Sequence, residues 1–179
     1  RYADVFRSLG FPLQLTKNIQ RTKLPLKNVL QHFELPFPPR RGGKEEPVIA
    51  VAPFAQYKEK TYPIESMKEV LKILTSKGYY ILLFGGGEEI KTLQAWEKEY
   101  NHTICVAGKF ILEDELALIS NADVMIGMDS ANMHLASLYG VPVISIWGAT
   151  HPYAGFYGYG QNINDAIQAD IYCRPCSVF

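Results

Sequence analysis

Asp123-Val124-Met125-Ile126-Gly127-Met128-Asp129-Ser130-Ala131-Asn132-Met133-His134-Leu135-Ala136, followed by Gly140-Val141-Pro142-Val143-Ile144-Ser145-Ile146-Trp147-Gly148, reads as strand, polar turn, helix, strand. Each strand is a continuous apolar run, the pattern of a sheet covered on both faces. The acid and hydroxyl of Asp129-Ser130 fall at the carboxyl end of the first strand, directly before a helix. A helix start offers unpaired backbone N–H groups and the positive end of the macrodipole, a natural seat for phosphate. The stretch therefore reads as a nucleotide-sugar pocket.

Working outward, the same alternation continues upstream. Val48 to Ala52 reads as a strand, Ile64 to Ser76 as a helix and Tyr79 to Phe84 as a strand. Glu88 to Tyr100 reads as a helix, Thr103 to Val106 as a strand and Glu113 to Asn121 as a helix. Val124 to Gly127, Ser130 to Tyr139 and Val141 to Trp147 complete the series. Alternating strands and helices predict an α/β domain with a doubly wound, Rossmann-like parallel sheet over residues 47–179. Residues 1–46 differ: a short helix over Tyr2 to Leu9, then Pro12, Pro25, Pro36, Pro38 and Pro39, ending in Arg40-Arg41-Gly42-Gly43-Lys44-Glu45-Glu46. Such punctuation reads as an interdomain linker arriving from an amino-terminal domain outside this chain.

Composition narrows the function classes. The 179 residues carry a formal net charge of +0 and are 47% hydrophobic, which suits one domain with its own core. Neutral balance gives no electrostatic case for nucleic acid. No apolar run approaches the roughly 20 residues of a membrane span, and a cytoplasmic setting is expected.

In the first helix Pro63 suits the first position, and Ile64, Met67, Val70, Leu71 and Leu74 form one apolar stripe. Lys60 then lies in the loop between the first strand and this helix. With strand order 3-2-1-4-5, Lys60 and Asp129-Ser130 face one crevice at the switch point, where ligands of open α/β sheets bind. Each feature also has a plainer reading. Asp-Ser before a helix is an ordinary N-cap, and Lys60 alone fits a solvated surface lysine. His134 fits either a half-buried histidine bonded to backbone or a neutral imidazole donating to a ligand. Gly85-Gly86-Gly87 is a tight turn, or a close backbone approach that lets Glu88 reach ribose hydroxyls. It lacks the GxGxxG spacing, which argues against a nicotinamide dehydrogenase. Cys173-Arg174-Pro175-Cys176 supplies two zinc ligands of four, so no metal site is assigned. Tyr153, Phe156, Tyr157 and Tyr159 fit a loop stacking on a base or sugar, or one covering a domain interface.

Val48-Ile49-Ala50-Val51-Ala52-Pro53, Lys60-Thr61-Tyr62-Pro63, the Gly85-to-Glu89 turn, Ala107-Gly108-Lys109 before Leu112-Glu113-Asp114-Glu115-Leu116-Ala117, and Gly127 to Ala136 occur in this order. Together, from Pro47 to Cys176, they resemble glycosyltransferase family nine, the ADP-heptose:lipopolysaccharide heptosyltransferases, in its carboxyl-terminal domain. Tyr2 to Phe11 resembles that family's interdomain region. The resemblance implies half of a two-domain GT-B enzyme that inverts at the anomeric carbon without metal or cofactor, with an ADP-sugar as donor. It implies that Lys60 contacts the phosphates, that Asp129 bonds the sugar, and that backbone amides at Ser130 and Ala131 hold the pyrophosphate. Asn132 and His134 belong to the same motif, and Glu88 or Glu89 contacts the nucleoside. The catalytic base is expected in the other domain, so no catalytic residue is assigned here and this part alone is expected to be inactive. The lipopolysaccharide core acceptor is expected to bind through that domain, with room for peripheral contact with the inner membrane. Ala131 for glycine, Tyr62 for tryptophan and His151 for an acid depart from the family pattern. They leave the donor sugar open, and with it a noncatalytic nucleotide-binding module that has lost transfer.

Overall fold

The computed structural model describes residues 2–16, 19–26, 29, 40–41 and 44–176. In chain order the elements are α1 (Tyr2–Ser8), β1 (Arg40–Arg41), β2 (Lys44–Glu45), β3 (Val48–Ala52), α2 (Ile64–Ser76) and β4 (Tyr80–Leu83). Then come α3 (Ile90–Glu99), β5 (Thr103–Cys105), α4 (Leu112–Asn121), β6 (Val124–Met128), α5 (Ala131–Leu138), β7 (Val143–Trp147) and β8 (Ala166–Gln168). β1 and β2 pair as a short antiparallel ribbon, and the other six strands form one parallel sheet in the order β5-β4-β3-β6-β7-β8. Counted from β3, the order is the expected 3-2-1-4-5 with one strand added at the edge. β8 escaped the sequence reading because it has three residues, two of them exposed, and so no apolar run.

Alternation along the central strand shows why the sheet is wound on both faces. Val48, Ala50 and Ala52 pack with α4 and α5 through Leu118, Met133 and Ala136, whereas Ile49 and Val51 pack with α2 and α3 through Met67, Leu71, Leu93 and Trp96. Every residue of β3 is buried. On α2 the apolar stripe holds at Met67 and Leu71, while Ile64 is 42% exposed because it sits at the rim where the helix leaves the sheet. Pro63 occupies the position just before the helix rather than its first residue.

The amino-terminal region is tied to the domain in part. Leu24 N–H donates to Ser120 Oγ at 2.9 Å, Asn121 Nδ2 donates to Leu24 O at 2.8 Å, and Thr22 N–H donates to Tyr139 O at 3.1 Å. The linker prolines Pro36, Pro38 and Pro39 and the Gly42-Gly43 pair lie outside the described residues. No helix among the described residues is long and apolar enough to cross a membrane.

The parallel register brings the functional ends level. Ala52 of β3 stands opposite Gly127 of β6, so the chain leaves both strands at one edge, on either side of the point where the winding reverses.

Candidate functional site

β6 ends at Met128, and the next two residues turn into α5. Ser130 has extended backbone (φ −148, ψ 172) at the N-cap position, yet its side chain makes no capping hydrogen bond. Its Oγ is buried without a hydrogen-bond partner, a state shown by no other side-chain nitrogen or oxygen among the described residues. Asp129 does not cap the helix either. Its Oδ2 lies 2.7 Å from Lys60 Nζ and accepts a hydrogen bond from Thr150 Oγ1 at 3.0 Å. The ordinary N-cap reading of Asp-Ser therefore has no hydrogen bond behind it.

Lys60 is not a solvated surface lysine: its side chain is 13% exposed and that of Asp129 6%. It closes a short 3-10 turn, Lys58–Lys60, on the way from β3 to α2. Two aromatic rings flank the ammonium, Phe156 at 5.5 Å and Tyr57 at 5.8 Å, close enough for cation–π attraction. The turn is seated from behind by the residues after β7. Ala149 N–H donates to Glu59 O at 3.0 Å, and a β-carbon at Gly148 would overlap that same carbonyl. Glycine is required there by close backbone approach.

These residues border one cavity of about 300 Å³, lined by Lys60, Asp129, Ser130, Ala131 and Asn132 on one side and by Gly85, Gly86 and Glu89 on the other. A cationic side chain, an unpartnered hydroxyl and the amino terminus of α5 thus meet in one hollow, chemistry matched to a phosphorylated ligand. In the glycine turn only Gly87 has a left-handed φ, +55. Glu89 lines the cavity while its Oε2 accepts from Gly86 N–H at 3.0 Å, whereas Glu88 is exposed outside the lining. His134 also lies outside the lining. It is exposed, because Met133, Ala136 and Ser137 face inward and position 134 turns to the opposite side of α5. The partial burial that the plainer reading of His134 assumed is absent.

Sequence reasoning did not find Thr150, which anchors Asp129, nor the pairing of Phe156 with Lys60. The aromatic loop divides its work: Tyr157 packs on Trp147 at 6.2 Å between ring centres, Tyr159 Oη donates to Thr16 O at 2.8 Å, and Tyr153 is 75% exposed. His151 turns away from the cavity. Its Nδ1 accepts from Tyr153 N–H at 2.9 Å, and it borders a second hollow of about 320 Å³ with Ile171 and Arg174. Cys173 and Cys176 are exposed free thiols with Sγ atoms 4.0 Å apart. Among the described residues no three His, Cys, Asp or Glu side chains gather as metal ligands.

The glycosyltransferase family 9 (heptosyltransferase) model matches residues 1–178. Lipooligosaccharide heptosyltransferase 2 of Haemophilus influenzae is 33% identical over 117 residues, covering 60% of this chain and 33% of that protein. Among solved structures, the family 9 glycosyl transferase from Veillonella parvula superposes with a TM-score of 0.71 at 21% identity, over 96% of this chain and 49% of that one. The Escherichia coli heptosyltransferase WaaC with ADP gives 0.61 at 22% identity, over 87% and 46%. The chain thus spans a third of the curated relative and just under half of each solved chain. With the family match running over nearly all of its residues, the chain belongs to glycosyltransferase family 9, the heptosyltransferases.

Proposed function

We propose that this chain is the donor-binding half of an inverting, metal-independent glycosyltransferase that transfers heptose, or a related sugar, from an ADP-sugar to the lipopolysaccharide core. The observation that carries the reading is the convergence of Lys60, paired to Asp129, with the unpartnered Ser130 Oγ in one cavity at the start of α5. An inverting transfer needs its leaving diphosphate stabilised as charge grows on it. A preorganised lysine and helix amino terminus supply that stabilisation without an ion. Lys60 would turn part of its ammonium from Asp129 to the phosphates, and Asp129 would hold a sugar hydroxyl. The amides of Ala131 and Asn132 and the Ser130 hydroxyl would take pyrophosphate oxygens, and Glu89 would meet the ribose. Glu88 and His134, exposed and outside the lining, enter this reading through the family resemblance alone.

The base that deprotonates the acceptor would come from the amino-terminal half of the enzyme, which also holds the acceptor. The chain by itself is then expected to bind donor but not to transfer. The relative named above is a lipooligosaccharide heptosyltransferase and one solved neighbour carries ADP, which supports adenine and heptose over other donors. The test is heptose transfer from ADP-heptose to a lipopolysaccharide core acceptor by the protein holding both halves, in magnesium-free buffer with chelator. Lys60→Ala should weaken donor binding by about 1.5–3 kcal/mol, the scale of a hydrogen bond to a charged group. Transfer that requires added metal, or that is indifferent to Lys60, would overturn the reading.

A further inference from the structure

Arg174 lies outside the lining of the donor cavity, yet it grips the backbone on which that cavity is built. Its Nε donates to Gly148 O at 2.9 Å and its Nη2 to Thr150 O at 2.6 Å, while Nη1 donates to Ala169 O at 2.9 Å. Two residues further on, Cys176 N–H donates to Ala149 O at 2.9 Å. The carbonyls of three successive residues, Gly148, Ala149 and Thr150, are therefore all held by the Cys173–Cys176 segment.

The opposite side of the same three residues faces the pocket. Gly148 lies flush against the Glu59 backbone, Ala149 N–H donates to Glu59 O, and Thr150 Oγ1 donates to Asp129. Residues 148–150 belong to no helix or strand, so their position depends on these outside partners. They form a splint with Lys60's turn and Asp129 on one side and Arg174 on the other.

We infer that Arg174 is a positioning residue for the donor pocket, fixing residues 148–150 so that Lys60 and Asp129 meet at the phosphate seat. The inference rests on the donor-binding reading above. A planar guanidinium suits the task, because it presents several N–H donors in a fixed fork that can reach diverging carbonyls at once. Lysine offers three donors from one nitrogen on a flexible stem, without that fixed fork. Thr150 is fully buried, so its carbonyl would not regain a water partner easily if the arginine were lost. In the Cys-Arg-Pro-Cys motif the arginine then has the role in the donor site, ahead of its two outward-facing thiols.

The test is a double-mutant cycle on ADP affinity with Arg174→Ala, Arg174→Lys and Thr150→Val, run well below the melting temperature of each variant. Arg174→Ala should weaken ADP binding about tenfold, within the range over which members of one hydrogen-bond network couple. Lysine should restore only part of it, and the arginine effect should shrink clearly in the Thr150→Val background. Amide exchange at Ala149, whose N–H marks the junction with Glu59, is read on the same variants without nucleotide and should accelerate when Arg174 is lost. Binding by every variant at wild-type strength, an arginine effect fully additive with Thr150→Val, or unchanged Ala149 exchange would overturn the positioning role. Wild-type chain that binds no nucleoside diphosphate would sink the donor-site reading instead, and Ala149 exchange alone would then decide whether Arg174 sets the splint.

Discussion

Lys60 Nζ stands 2.7 Å from Asp129 Oδ2, joining the turn after β3 to the turn after β6 across the switch point of the sheet. Neither charge is well solvated, so each depends on the other. Removing one member of such a pair leaves the other buried and uncompensated, at a cost of about 3–5 kcal/mol, whereas removing both charges often costs far less. Lys60→Met is expected to destabilise the chain strongly, and adding Asp129→Asn should recover most of the loss. Urea denaturation of the two single variants and the double variant measures this directly. Additive losses would show that the pair is not coupled.

Ser130 separates stability from binding. Its hydroxyl has no partner in the free chain, so Ser130→Ala should leave unfolding free energy within about 0.5 kcal/mol of wild type. The same change should weaken nucleoside diphosphate binding by about 1 kcal/mol, the worth of one hydrogen bond. Thermal melting and titration on one preparation give both numbers, and an equal loss in both would mean the hydroxyl serves the fold.

Gly148 has no room for a side chain against Glu59 O. Alanine there must push the Lys58–Lys60 turn away from β7, with overpacking costs of about 1–3 kcal/mol. Reduced stability together with reduced ADP affinity is expected, because the displaced turn carries Lys60. Lost stability with full affinity would argue that the turn tolerates movement.

Glu115, in the first turn of α4, has its carboxyl pKa raised from the ordinary 4.5 by burial. A raised folded-state pKa means the native chain holds this proton more tightly than the unfolded chain does. The associated stability is present below about pH 4.5 and is lost as pH climbs through the higher folded value. Glu115→Gln removes that penalty, so it should raise the melting temperature near neutral pH and lose its advantage in acid. A pH-independent effect would contradict the burial argument.

Much of the fold was legible because β3, β6 and β7 are apolar runs with little polar interruption, and because α2 and α3 carry an apolar stripe. Lys60 and Asp129 could be placed on facing loops from strand order alone, since in doubly wound sheets position follows from topology. What could not be read is tertiary chemistry between distant positions. Thr150 meets Asp129 across 21 residues and Arg174 meets Thr150 across 24, through a hydroxyl and backbone carbonyls that leave no periodic signature. Phe156 was visible as one of four aromatic residues, but nothing in the spacing told which one would face Lys60. His134 sits among apolar neighbours in sequence, which left a partly buried and a ligand-facing reading open, yet it turns outward because helix phase puts Met133 and Ala136 on the core.

The most direct measurement is calorimetric titration of the chain with ADP, UDP, GDP and CMP and their sugar conjugates, without metal, alongside Lys60→Ala. Selective binding of ADP and ADP-heptose, weakened by the lysine change, is the expected result. Tighter binding of another nucleotide, or ADP binding that ignores Lys60, would contradict an ADP-sugar site built on the Lys60–Asp129 pair.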